Sequence, residues 1–532
     1  MSALSLDSND SSPLCERRRR GPLTSIGLAL CLAVSAGACG DDAGGSTDPV
    51  PSPDAGADVG VDGVADAAPD ASTDGGTPVN PTTYAFAGRD GSDSSVSYSG
   101  QTARHVLIAA LKAEFLLIDE RIDAGSFAPA EGDVVAALDF YFQFDGTIGG
   151  LDDHPISTDP AASQTTFDDI STDKNLIGKF AGNDTATDYR DFSTEFAGWS
   201  DASIAANGGG ISSPTELVTA FFNTVEENAI ARADAADRTA FDGTALPSFV
   251  TESGLNLRQL SQKLLTVGLT FHQGVDDYLD DDVDGKGLLA SNIAEEGSAY
   301  TPLEHAWDEA FGYFGAARDY ANYTDDEIAG KGVVGEDRDD WADGAYDTNQ
   351  DGAIDLTSEW NTALAVNAAK RDSAGFTDFT GDAYSAFLAG RTLIANIEGE
   401  LSADQLDTLR AHRDDLATAW EGALAATVIH YINDVLEVMT STSGEYDFLG
   451  HAKAWSELKG FALGFQFNPR SPMLSDFGAF HTLIGDAPVL SNAGDEANAA
   501  YVSALRDART LLADAFDFPV EALGDDNGLG GW

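Results

Sequence analysis

The apolar residues of this chain recur at intervals of three and four over most of its length, and that period allows little but helices. Within Gln101 to Ile122, Leu107, Ala110, Leu111, Leu117 and Ile118 fall in helical register. Leu257, Leu260, Leu264, Val267, Phe271, Val275 and Tyr278 do the same. Further helices are expected over 213–232, 301–320, 382–397, 403–439, 448–467 and 497–516. Two of them carry explicit start signals. Ser213-Pro214-Thr215-Glu216 and Thr301-Pro302-Leu303-Glu304 each place a hydroxyl at the N-cap, Pro at the first helical position and Glu three residues after the cap. Alternating strand patterns are scarce, and a short hairpin is expected only between Tyr84 and Tyr98. Long Gly/Asp-rich connections cover 145–212, 280–300 and 324–380. The expectation is an all-α fold: a helical bundle, or two bundles packed together, decorated with long acidic loops.

The N-terminus reads as an export signal. Arg17 to Arg20 supply the charge, Leu23 to Val34 an apolar run, and Ala36-Gly37-Ala38 the small residues ahead of Cys39. The run is too short to span a bilayer. The small residues leading into Cys39 resemble the lipobox of bacterial lipoproteins, in which the cysteine accepts the lipid. Residues 1–39 are therefore expected to be a lipoprotein signal peptide and Cys39 the lipidated residue. Residues 40–82, built largely of Asp, Ala, Gly, Pro, Ser, Thr and Val, are expected to form a disordered tether. A helical domain over 83–525 follows. The expected location is the cell envelope, lipid-anchored, in the periplasm or at the outer membrane or cell surface.

Charge narrows the partners. With 89 acidic against 29 basic residues the formal net charge is −60. Such a field repels nucleic acid and anionic lipid surfaces and concentrates cations, so contact with a membrane is expected through the lipid only. The three cysteines are Cys15, Cys31 and Cys39, none of them in the body. Disulfides and thiolate metal sites are excluded there, and any metal must be held by oxygen and imidazole.

The segment YTPLEHAWDEAFGYFGAARDY, Tyr300 to Tyr320, is the leading functional candidate. Residues three and four apart share a helical face, which gathers Glu304, His305, Asp308 and Glu309 on one stripe. Trp307, Phe311, Tyr313 and Phe314 would bury most of that helix. A carboxylate–imidazole cluster forced toward a core is costly unless it is paired or metallated. The expectation is a metal site of His305, Asp308 and Glu309 with Glu304 alongside, and with His430 or Glu457 approaching from neighbouring helices. His430 lies in ALAATVIHYINDVL, one turn before Asp434, and Glu457 in HAKAWSELKGFALGFQF. His105, His154, His272, His412 and His481 lack comparable surroundings and read as structural.

A different chemistry is suggested by DTNQDGAIDLTSE, Asp347 to Glu359. Asp347, Asn349 and Asp351 occupy alternate positions, Gly352 allows a sharp turn, and Ala353, an apolar anchor Ile354 and Asp355 follow. This resembles a calcium loop, with Glu359 one residue beyond the twelfth position held by Ser358. Asp280, Asp282, Asp284 and Gly285 imitate the same start, but Gly287 stands where the anchor belongs, and that segment reads as a solvated acidic loop. No GxSxG, HExxH, Walker or dinucleotide motif occurs, so nothing supports nucleophilic catalysis.

Several segments also carry a family resemblance. Tyr98-Ser99-Gly100-Gln101-Thr102-Ala103-Arg104, the EHAWDEAFGYFG helix, IHYIN at Ile429 to Asn433 and HAKAWSELKGFALGFQFNP at His451 to Pro469 resemble a family of bacterial lipoproteins of unknown function, related to the imelysin-like, iron-regulated periplasmic proteins. The resemblance spans about residues 83–525. It implies a helical bundle with an internal duplication, attachment at the envelope, and a role with iron or another metal. Imelysins carry a Gly-x-His-x-x-Glu motif; here His305 matches the His, Leu303 replaces the Gly and Asp308 the Glu, with Glu309 beside it. The expected function is thus an envelope lipoprotein that binds a transition metal, iron foremost, around His305, and calcium at the 347–359 loop. Two alternatives stand beside it. One is a metal-dependent hydrolase with Glu304 or Glu309 as general base. The other is a structural or adhesive surface protein whose histidines and carboxylates satisfy each other.

Overall fold

Thirteen α-helices form among the described residues of the computed structural model, which are 80–145, 156, 161–184, 189–200, 204, 210–235, 238–331, 338, 341, 344–441 and 446–532. Cys39, His154 and residues 40–79 of the expected tether lie outside them. The helices are α1 (Ser99–Asp123), α2 (Asp133–Phe142), α3 (Phe167–Ile170), α4 (Pro214–Ala233), α5 (Leu257–Leu269), α6 (Pro302–Phe314) and α7 (Asp325–Ile328). They continue with α8 (Ala363–Asp372), α9 (Phe379–Ala395), α10 (Ala403–Thr440), α11 (Phe448–Ala462), α12 (Phe477–Ile484) and α13 (Asp495–Phe516). The all-α expectation holds. α5 runs on into a π-helical segment, Thr270–Asp277, and α11 into a 3-10 segment, Leu463–Phe467. In place of a hairpin, 84–98 makes an irregular reversal closed by Gly88 N–Ser92 O (2.9 Å) and Ser95 N–Phe86 O (2.8 Å). Only isolated bridges, among them Ala162 with Ile354, occur as β-pairing in the described residues.

Helices α2, α3, α7, α8 and α12 lie where no helix is expected. For α2 the reason is a cap supplied from afar. The N-cap is Gly132, without a side chain, and the backbone N–H groups of Gly132, Val134 and Val135 donate instead to the Glu226 carboxylate of α4, at 2.9–3.1 Å. Helix α6 is shorter than expected because Gly315 ends it with φ +90°. A Cβ at Gly315 would come within 2.6 Å of the Thr362 carbonyl, so only glycine fits.

Helix α10, 38 residues long, packs against α8, α9, α11 and α13. The second organising element is α5 with its π segment, whose residues other than the half-buried Arg258 are all buried, against α1, α4, α6 and α11. The buried apolar residues form one connected core, a single body rather than two separate bundles. No described helix is long and apolar enough to cross a membrane.

Candidate functional site

Helix α6 begins as its sequence dictates. The Thr301 hydroxyl accepts from Glu304 N (3.0 Å) and the Glu304 carboxylate accepts from Thr301 N (2.9 Å), a complete capping box with Pro302 in the first turn. Glu304 and Asp308 then face the interior, and both are buried. Their partner is a guanidinium. Arg391 of α9, itself fully buried, donates through Nε to Asp308 Oδ1 (2.8 Å), through one terminal nitrogen to Glu304 Oε1 (2.9 Å) and through the other to the Ser95 hydroxyl (2.7 Å). Its cation lies 4.6 Å from the Phe86 ring centroid. Arg89 donates to Glu304 Oε1 (2.8 Å) and the Tyr84 hydroxyl to Asp308 Oδ1 (2.8 Å). Burial opposes ionisation of Glu304, but Arg391, Arg89 and the Thr301 amide outweigh it and hold the carboxyl below its ordinary pKa. Burial pushes the Asp308 carboxyl up, with Arg391 pulling against it. Close approach of α9 makes this possible: a Cβ at Gly390 would fall 2.1 Å from Trp307.

Spacing alone puts Glu304 and Asp308 beside a metal; in the structure Arg391 supplies the positive charge. His305 and Glu309 stand on a more open side of α6. His305 Nε2 lies 3.8 Å from Glu309 Oε2, the His305 ring stacks on Tyr300 at 4.6 Å, and Gln101 donates to Glu309 Oε1 at 2.8 Å. His430 faces Asp434 of its own helix at 3.6 Å. Glu457 is buried against Lys263 of α5, 3.2 Å away. The six expected ligands are thus divided among Arg391, local i,i+4 contacts and Lys263. Among the described residues no group of three or more His, Cys, Asp or Glu side chains is arranged to hold a metal ion.

The 347–359 loop folds on its own hydrogen bonds. Asp347 accepts from Asp351 N (3.1 Å) and Gly352 N (2.8 Å), Asn349 from Asp351 N (2.8 Å) and Asp351 from Ala353 N (3.0 Å). Ile354 is buried and anchors the loop through Ser163 N–Ile354 O and Ile354 N–Ala161 O, each 2.8 Å. Glu359, one residue late for the expected pattern, still reaches back across the loop. It accepts from Thr348 N and Asp355 N, each 2.9 Å, while Asp355 is held by Thr357, Ser358 and Gln164. Oxygen donors are the right class for a hard cation; here they accept from backbone amides and neighbouring side chains.

The strongest polar feature of the core lies elsewhere. On α5 and its π segment, Gln259, Lys263, Thr270, His272, Gln273 and Asp276 are all buried. An apolar repeat with polar residues between reads as an amphipathic helix with a wet face, and the sequence offers no sign that this face is covered too. Near it, on α10, Glu421 is buried and bonded by Asn468 Nδ2 at 2.7 Å. Burial pushes the Glu421 carboxyl up to about 8, so it is largely protonated at neutral pH.

Residues 152–333 match a family described as a domain of unknown function (DUF4856). The matched stretch is less than half of the chain and contains α5, the π segment and α6. No curated protein and no solved structure matches the chain.

Proposed function

We propose that this chain is a cell-envelope lipoprotein, attached through lipid on Cys39, whose helical body binds a transition metal ion, iron foremost, at His305 and Glu309 of α6. The body is read as a distant relative of the imelysin-like proteins. The observation that supports the site is the division of labour on α6. Arg391 engages Glu304 and Asp308, while His305 and Glu309 remain 3.8 Å apart and partly open to solvent. His305 Nδ1 is shielded and makes no hydrogen bond among the described residues. Imidazole and carboxylate together suit a borderline transition metal. Calcium is proposed as a second ligand, at Asp347, Asn349, Asp351, Ala353, Asp355 and Glu359.

A second reading, a structural or adhesive surface protein with no transition metal, is favoured by the same Arg391 contacts, because they satisfy the two deepest carboxylates of the cluster without a metal. One experiment separates the two. His305→Ala should lower the bound transition metal while the chain keeps its helical fold and still melts cooperatively. Unchanged metal content in that variant would overturn the His305 site, and a wild type that carries no transition metal would favour the structural reading.

A further inference from the structure

Three histidines of this body sit one turn before a carboxylate: His272 with Asp276, His305 with Glu309 and His430 with Asp434. The last two pairs have side chains 17–37% exposed, where water and salt screen them. The first has side chains 1% and 0% exposed. Burying a polar ring without hydrogen bonds is costly, and neither Nδ1 nor Nε2 of His272 makes one among the described residues. On the same turn, the Gln273 Oε1 and Thr270 Oγ1 atoms are buried and likewise unbonded. A buried polar atom without a partner calls for a specific cause, an ion or a water among them. Here such atoms concentrate on one π-helical segment, a geometry that recurs at functional sites.

From this geometry we propose that His272 and Asp276 chelate one divalent transition metal ion in the core of the bundle, as neutral imidazole and carboxylate. Residues at i and i+4 on a helix present two ligands to one metal. Two atoms bound at about 2.0–2.1 Å to the same ion lie roughly 3.0–3.4 Å apart. His272 Nδ1 and Asp276 Oδ2 are separated by 3.5 Å, so chelation needs only a small closure. The seat is a pair, in keeping with the lack of any described group of three His, Cys, Asp or Glu; water and the amide or hydroxyl oxygens of the turn complete the sphere. A polar route leads to it. Gln273 Nε2 donates to Asp184 Oδ2 (3.3 Å), and Asp184 pairs with the partly exposed Lys179 (2.6 Å). The proposal shares no residue with the His305 site, and either can fail alone.

Burial supplies the test, because an ion seated in the core exchanges slowly. The full chain is produced in cobalt-supplemented medium, treated with EDTA in the native state, and its cobalt counted per chain. We expect the wild type and His305→Ala to keep one equivalent that is released on unfolding. His272→Gln and Asp276→Asn, which nearly conserve volume, should keep none while still melting cooperatively. A wild type that keeps no cobalt, or a His272→Gln variant that keeps as much as wild type, overturns the proposal. Should both variants fail to fold, X-ray absorption on the cobalt retained by the wild type decides: imidazole scattering from one ligand supports the site, and its absence overturns it.

Discussion

Arg391 is where the α6 cluster can be tested with a single side chain. Replacing it with methionine keeps much of the volume and leaves two buried carboxylates without their main counter-charge. Removing one partner of a buried ion pair costs about 3–5 kcal/mol. Arg391→Met should therefore lower unfolding stability in urea by about that amount; a loss below about 1 kcal/mol would mean that Glu304 and Asp308 are satisfied by Arg89 and Tyr84 alone. Spacing makes it legible that Glu304 and Asp308 share a face, but 87 and 83 residues separate them from Arg391. The one local hint was a lone arginine in the apolar run FLAGRTLIA. Glu421 gives a second test at this scale. Its folded pKa, about 8, exceeds the ordinary 4.5 because of burial, so the folded state keeps a proton that the unfolded state releases. Its contribution is least unfavourable below pH 4.5 and stability is lost as pH rises toward 8, at up to about 1.4 kcal/mol per pH unit. Glu421→Gln should flatten that slope between pH 5 and 8 in denaturant titrations. An identical slope in both proteins would place an ionised carboxylate in the core.

Among the elements, the 347–359 loop can be read furthest in advance. Its anchor Ile354 is buried as the pattern expects, and Glu359, one residue late, reaches back to accept from Thr348 N and Asp355 N. Calcium binding to the native state alone would add about 2.7 kcal/mol at a hundredfold excess over Kd. Removing it with a chelator should lower the melting temperature and loosen the loop to protease, and Asp351→Ala should erase the difference. Equal melting and equal cleavage with and without chelator would make the loop an acidic turn held by its own amides. Helix α2 shows the opposite case. Its start depends on Glu226, 92 residues from Val134, beside the weaker local signal of Asp133 in the first turn. The segment α5–π is intermediate: its period and length are legible, its complete burial is not. An apolar repeat reports which face is dry and is silent on whether the other face is wet.

At the scale of the whole molecule, the helical period fixed the class, and the connected core joins what could have been two bundles. The acid excess belongs to a chain whose 29 basic residues include buried ones at decisive points, Arg391 and Lys263 among them. Composition reports the field but not which carboxylates capture those few cations, which is why the distribution of the six expected ligands could not be read from spacing. What distinguishes a metal-binding envelope protein from an acidic structural one is whether the body holds a metal at all. Elemental analysis of the chain purified without added metal measures this directly. The account predicts at least one equivalent of a transition metal per chain. A body that carries none above background, and takes up none when offered iron or cobalt, would contradict it.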